Sequence, residues 1–346
     1  METDVNLPHA KTAHFLSQAD YAELLGSAFT ARLWRALPAA LSGPVRDRLA
    51  TWPGAPAEDL PANRIAAGLH ALARDGRCPE ITAAWPPGHG PLDRALRAAF
   101  RDHQDFLLPW LDHPPQTNEV ARSGVLLGLV LILAARTGMP IELIEIGASA
   151  GLNLGLDGYS YDLGAAGIRK GNAVHIACDW RGAWPDPGTP LRIEARAGCD
   201  LAPIDPADRA MRERLIAWIW PDQTDRLARA EAALDAAAAA PWRVERAEAA
   251  AWLAGRLARP QPAGRLRVLM HSVMWQYLPE AARAGIGAAM AAAGARATAD
   301  RPLGWVRMEG DGIRDSAALG LTLWPGGQTL RCGRAGWHGG WAQWQG

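Results

Sequence analysis

The sequence predicts an α/β fold: a mostly parallel sheet closed by a C-terminal antiparallel hairpin, preceded by an N-terminal helical domain. Three observations predict it. The first 115 or so residues carry apolar side chains at three- and four-residue spacing, with almost no strand pattern. From residue 141 onward, short apolar or alternating runs take turns with helical ones, the signature of parallel strands joined by right-handed crossovers. Finally L-G-L-T-L-W (319–324), the turn P-G-G and Q-T-L-R-C (328–332) form a hairpin pattern. We therefore divide the chain into a helical domain, 1–115, and an α/β domain, 116–346.

In order, helical segments are expected near 19–37, 61–75 and 92–111, separated by the breakers W-P-G-A-P and W-P-P-G-H-G-P. A longer helix runs from Glu119 to Thr137, with Thr117 or Asn118 as its N-cap and Gly138 and Pro140 as its stop. The run 141–146 (I-E-L-I-E-I) reads as a strand covered on both faces. A short helix through Leu156 follows, then possible strands at 173–178 and 191–196. Helices are expected at 206–219 and 223–239, a strand at 242–246, a helix at 248–258, a buried strand at 267–272, a helix at 279–294 and a strand at 303–309.

Composition narrows the function. Lys plus Arg and Asp plus Glu both total 36, so the chain lacks the basic footprint of a nucleic-acid binder. The four cysteines show no C-x-x-C pair and no metal-type spacing, which predicts reduced structural thiols, no metal site and a cytoplasmic protein. The N-terminal residues have neither a basic n-region nor an apolar core and do not read as a signal peptide. The most apolar run, Gly124 to Ala135, falls short of the roughly 17–25 residues of a membrane span and reads as a core helix.

The richest stretch is I-E-L-I-E-I-G-A-S-A-G-L-N-L (141–154). Small residues from Gly147 to Gly151 strip the turn of bulk, so a ligand can approach the backbone, and the following helix is expected to offer free N–H groups. As E-x-G-x-x-x-G it resembles the first motif of class I S-adenosylmethionine-dependent methyltransferases. As G-x-S-x-G it resembles the nucleophile elbow of an α/β-hydrolase, with Ser149 as nucleophile. In a hydrolase several strands precede the elbow, whereas here the upstream chain is helical. The closing hairpin also matches the methyltransferase plan.

Further motifs are L-H-A-L-A-R-D-G-R-C-P (69–79), Q-T-N-E-V-A-R-S (116–123), E-I-G-A-S-A-G-L-N-L-G-L-D-G-Y-S-Y (145–161), R-A-G-C-D-L-A-P-I-D (196–205), M-H-S-V-M-W-Q-Y-L (270–278) and W-H-G-G-W-A-Q-W (337–344). Together they resemble the bacterial domain of unknown function 2332 family over nearly the whole chain. The resemblance implies a Rossmann-like, class I methyltransferase-type sheet and names no substrate.

On this reading Glu145, Gly147, Ser149, Gly151 and Asn153 line the methionine and ribose end of S-adenosylmethionine; the plainer account is a turn that needs glycine for steric reasons alone. Asp200, after the strand 191–196, is our choice for the ribose hydroxyls, with Asp162 as the alternative. Glu248 either accepts from an adenine amino group or sits in a first helical turn for the dipole. His271, Ser272, Trp275, Gln276 and Tyr277 end a parallel strand, where ligands bind in such sheets. His271 is the candidate general base, and Tyr277, Arg122 and Glu119 complete the catalytic set. Arg122 and Glu119 are either a solvated i,i+3 pair or part of the crevice, and His338 is either a surface-loop or a crevice residue. The expected function is methyl transfer from S-adenosylmethionine to a small molecule, without nucleic acid or membrane. A non-catalytic S-adenosylmethionine- or nucleotide-binding or scaffold protein and a serine hydrolase through Ser149 are the alternatives.

Overall fold

The computed structural model describes residues 7–345 and divides into two compact units. The first is helical. It comprises the chain up to Thr117 together with Arg209–Ala228, a segment that the sequence alone assigns to the α/β part. Its main helices are His9–Leu24, Ala28–Ala40, Gly43–Ala50, Pro61–Asp75 and Leu92–Asp102. Their apolar stripes converge on a core that holds Phe15, Trp34, Leu69, Leu72 and Phe100. The returning segment is fastened by specific bonds. Asp222 accepts from the Phe29 amide at 2.9 Å and from Thr30 Oγ1 at 2.7 Å, and so caps Ala28–Ala40. The Trp220 ring meets Trp34 edge-on at 5.4 Å.

The second unit carries twelve strands among the described residues: β1 (Ile141–Ile146), β2 (Ser160–Asp162), β3 (Ile168–Arg169), β4 (His175–Ala177), β5 (Asp179–Gly182), β6 (Ile193–Asp200), β7 (Val244–Arg246), β8 (Leu266–Ser272), β9 (Leu303–Glu309), β10 (Ala317–Trp324), β11 (Gln328–Ala335) and β12 (Trp341–Trp344). Nine form one sheet in the order β5-β12-β11-β10-β9-β8-β1-β6-β7, and β3-β2-β4 form a small second sheet. The large sheet is mostly parallel: only β9/β10, β10/β11 and β11/β12 are antiparallel. The expected hairpin is β10–β11, but it belongs to a four-strand meander rather than standing alone at the edge.

Both faces of the parallel region are covered, which explains the near-continuous apolar character of β1 and β8. Ile144, Ile146 and Leu269 pack with Leu253 and Leu257 of helix Ala249–Ala258 and with Ile286 and Met290 of helix Glu280–Ala295. On the other face lies helix Ser123–Thr137, whose Leu133 lies against Gly304 of β9. By length and composition Val120–Thr137 could cross a membrane, yet 72% of it is buried inside the protein, as a core helix is.

Close approach to the sheet edge needs glycine in that helix. A Cβ at Gly128 would come within 2.3 Å of the Trp344 ring. Gly128→Ala is therefore expected to cost about 1–3 kcal/mol through overpacking. Gly255→Ala, on an exposed helix position with nothing within 4 Å, should instead stabilise by up to about 1 kcal/mol. Denaturant unfolding of the two variants checks both signs.

Candidate functional site

The chain order along the parallel region reverses at β1, with β6 on one side and β8 on the other. The carboxyl ends of strands at such a reversal form a crevice, because the following connections leave in opposite directions. Backbone strain collects there. Only three non-glycine residues have positive φ among those described, and two of them, Ser149 and Val273, each at 52°, follow β1 and β8. For the β-branched Val273 this conformation is an outlier, and strained residues of this kind cluster at functional sites.

In the turn after β1, positive φ recurs at alternate residues: Gly147 at 66°, Ser149 at 52° and Gly151 at 73°. The turn is pinned from both sides. The Ala148 amide donates to the Cys199 carbonyl at 3.0 Å and the Ser149 amide to Asp200 Oδ2 at 2.9 Å. The amides of Ala150 and Leu152 both donate to Asn118 Oδ1, at 3.2 and 3.1 Å. The short helix is a single 3-10 turn, Leu152–Gly155, and the turn's amides are taken by protein acceptors rather than left free for a ligand. Asn118 does not cap the helix that follows it; Glu119 does so for the 3-10 turn Val120–Arg122, accepting from the Ala121 amide at 3.1 Å.

What remains unsatisfied in this turn is side-chain chemistry. Glu145 is buried, at 2% exposure, and its Oε2 has no partner; the buried Ser149 Oγ has none either. The Asn153 amide bonds to the Glu145 carboxyl, and Asn153 Oδ1 in turn accepts from Ser123 Oγ at 2.8 Å. Burial pushes the Glu145 carboxyl well above the ordinary carboxylate range; the Asn153 bond opposes this, the Asp200 charge adds to it and the Arg122 charge opposes it. Arg122 thus reaches Glu145 electrostatically. It also donates from Nε to the Trp337 carbonyl at 2.9 Å, and Glu119 is buried. Both residues face inward rather than forming a solvated pair.

The C-terminal loop closes over this corner. A Cβ at Gly339 would come within 2.4 Å of the Ala121 carbonyl, so the backbone there lies directly against the Val120–Arg122 turn. His338 itself is exposed. Above Gly147 sits Met274, whose side chain would lie about 3.0 Å from a Cβ added there.

The structure places the remaining sequence-predicted residues differently. His271 is fully buried, and both ring nitrogens are engaged: Nδ1 with Glu309 Oε1 at 2.6 Å, and Nε2 as acceptor from Trp305 Nε1 at 3.0 Å. The ring also stacks on Trp275. No ring nitrogen is left to take a proton from a substrate, so the general-base role does not fit. Tyr277 is 77% exposed and turned to solvent. Glu248 caps helix Ala249–Ala258, with its two oxygens accepting from the Ala250 and Ala251 amides, so the helix-terminus account holds. Asp162 lies in the small sheet, exposed, and accepts from the Gly164 amide. Asp200 ends β6 and accepts from the Ser149 amide of the turn, and Ser272 is buried at the end of β8.

Glu309 was not singled out from the sequence. Besides His271 it accepts from the Met274 and Trp275 amides, at 3.2 Å each through Oε2, and so holds the strained segment at Val273. The available signal was an acid ending an apolar strand, L-G-W-V-R-M-E, the same pattern that marked Glu145.

No curated protein and no solved structure matches the chain. Residues 12–344 match the model of the family described as "Uncharacterized protein conserved in bacteria (DUF2332)", and the chain belongs to that family.

Proposed function

We propose that the chain is an S-adenosylmethionine-dependent methyltransferase acting on a small molecule, on a Rossmann-like, class I methyltransferase-type sheet. The observation that carries this reading is the pair of unpartnered buried polar atoms, Glu145 Oε2 and Ser149 Oγ, in a strained E-x-G-x-x-x-G turn at the point where strand order reverses. The donor set fits the group. A cationic amino group meets the unmatched Glu145 carboxyl, and the Ser149 hydroxyl can donate to an amino-acid carboxylate. Asp200, which accepts two backbone amides, keeps lone pairs for a ribose diol.

When bound, S-adenosylmethionine supplies an electrophilic methyl group. The chain's own residues position and enclose. Asp200 and Asn118 fix the turn, Met274 covers Gly147, and Arg122, held on the Trp337 carbonyl, places a positive charge near Glu145. An acceptor that is already nucleophilic needs orientation rather than a base, in keeping with an enclosed His271. Four free, buried cysteines fit the reducing cytoplasm.

The positive φ of Ser149 favours a second reading, a serine nucleophile at a G-x-S-x-G turn. Its Oγ, however, has no histidine partner to activate it. Labelling of the native protein by a fluorophosphonate, lost in Ser149→Ala, would put this reading first.

Calorimetric titration with S-adenosylmethionine and S-adenosylhomocysteine tests the proposal; no response to either rejects it. Asp200→Ala should weaken binding by about 1.5–3 kcal/mol, the range for hydrogen bonds to a charged group, while Asp162→Ala leaves it unchanged. Binding without methyl transfer to any small acceptor would instead favour a sensor or scaffold.

Glu145→Gln should separate stability from function. The folded protein holds a proton on Glu145 more readily than the unfolded chain does. Native stability therefore falls as pH rises past the unfolded value of about 4.3 and levels off above the folded one. Glutamine does not titrate, so the variant's stability gain should be small near pH 4.5 and grow toward neutrality, to about 1–3 kcal/mol. Cofactor affinity should drop in the same variant. Thermal melts from pH 4.5 to 8 check the first part and calorimetry the second.

A further inference from the structure

The helical unit contains a cavity of about 590 Å³, well within the size range of small-molecule sites. It lies between helix Pro61–Asp75, the segment Gln104–His113 and helix Arg209–Ala217, all parts of that unit. Its apolar wall is formed by Phe106 and Trp110, both half-buried. Trp110 is firmly seated: its ring packs edge-on against Trp218 at 6.1 Å, and a Cβ at Gly68 would approach it to 3.0 Å.

The charges around the cavity do not cancel. Arg74 pairs with Glu213 at 2.8 Å, and Asp75 pairs with Arg77 at 2.6 Å. Those pairs account for both acids lining the cavity. Arg209 and Arg214 also line it; the Asp75 charge reaches Arg209, but neither arginine side chain forms a hydrogen bond or close ion pair among the described residues. Arg209 is moreover the first residue of its helix, the end at which the dipole disfavours a cation. His113, on the same wall, is held below its ordinary value, first by burial and then by the Arg214 charge, so it is neutral at pH 7 and free to hydrogen-bond.

We infer that this cavity is a binding site for a small planar aromatic anion, such as an aryl carboxylate, with its ring against Trp110 and Phe106 and its charge on Arg209 and Arg214. Arginine suits the task because its planar fork matches a carboxylate in bidentate fashion. The site is separate from the strand-end crevice and does not depend on the function proposed for it.

The test is calorimetric titration of the full chain with 2-naphthoate at low salt, alongside its neutral analogue 2-naphthylmethanol. One saturable naphthoate site is expected, weakened about tenfold or more by the combined Arg209→Ala and Arg214→Ala substitutions. The neutral analogue should bind at least about tenfold more weakly than naphthoate. Both arginines are exposed, so the double variant should melt like the native protein. Trp110→Phe, which keeps an aromatic wall, should retain binding. No saturable heat, unchanged binding by the double variant, or equal binding of the neutral analogue would each overturn the inference.

Discussion

The α/β unit depends on a few side-chain oxygens that accept from the backbone amides of its strand-end turns. Asp200 takes the amides of Ser149 and Ala202, Asn118 those of Ala150 and Leu152, and Glu309 those of Met274 and Trp275. Without them the positive-φ conformations at Ser149 and Val273 would relax, since each costs on the order of 1–3 kcal/mol. Each acceptor takes two backbone amides, and two such bonds at about 0.5–1.5 kcal/mol apiece are enough to hold such a conformation. The two turns are fixed by different elements, Asp200 of β6 and Asn118 for one, Glu309 of β9 for the other. The crevice is thus a product of the whole parallel region rather than of one motif.

This division of labour separates residues that position from residues that remain available. Glu309 and His271 sit in the row of polar groups at the strand ends, where contact with a ligand is the natural first reading. Their bonding is complete within the protein, and with Trp305 and Trp275 they brace the segment that carries Met274 over Gly147. Glu145 and Ser149, one strand away, are buried to a similar degree and keep unsatisfied atoms. Position relative to the sheet does not distinguish the two groups; the count of hydrogen-bond partners does.

The parts of the fold legible in the sequence are those in which local pattern and burial agree. Strands β1, β8 and β9 are runs covered on both faces, and the P-G-G turn marks the β10–β11 hairpin. The Glu145–Gly151 turn and Asp200 at the end of β6 were legible too, because small residues and a strand-terminal acid are local signals. Strands β2, β3, β5 and β12 were not: each is four residues or fewer, and β5 pairs in parallel with β12 across some 160 residues of chain. The same distance problem hid the bond between His271 and Glu309, and the return of Arg209–Ala228 to the helical core through Asp222 and Trp220. Glu248 shows the converse. Its role as a cap is local and was legible beside the functional account.

Buried ionisable groups elsewhere in the protein show what the fold does when a polar side chain serves structure alone. His70, in the helical unit, is pushed down to about 4, chiefly by burial, and its Nδ1 bonds to the Ile219 carbonyl at 2.9 Å, so the neutral ring is satisfied where it lies. Arg267, at the opposite end of β8 from the crevice, is 3% exposed but pairs with Glu142 and bonds to three backbone carbonyls. Both follow the rule that a polar group taken out of water is given partners. Glu145 departs from it: one oxygen is held by Asn153, the other is unmet, and the Asp200 charge works against its ionisation. The cost of that departure, with the unmet Ser149 Oγ close by, falls beside a turn whose geometry is itself strained. On the methyltransferase reading proposed above, an incoming cation that pairs with Glu145 relieves that cost on binding.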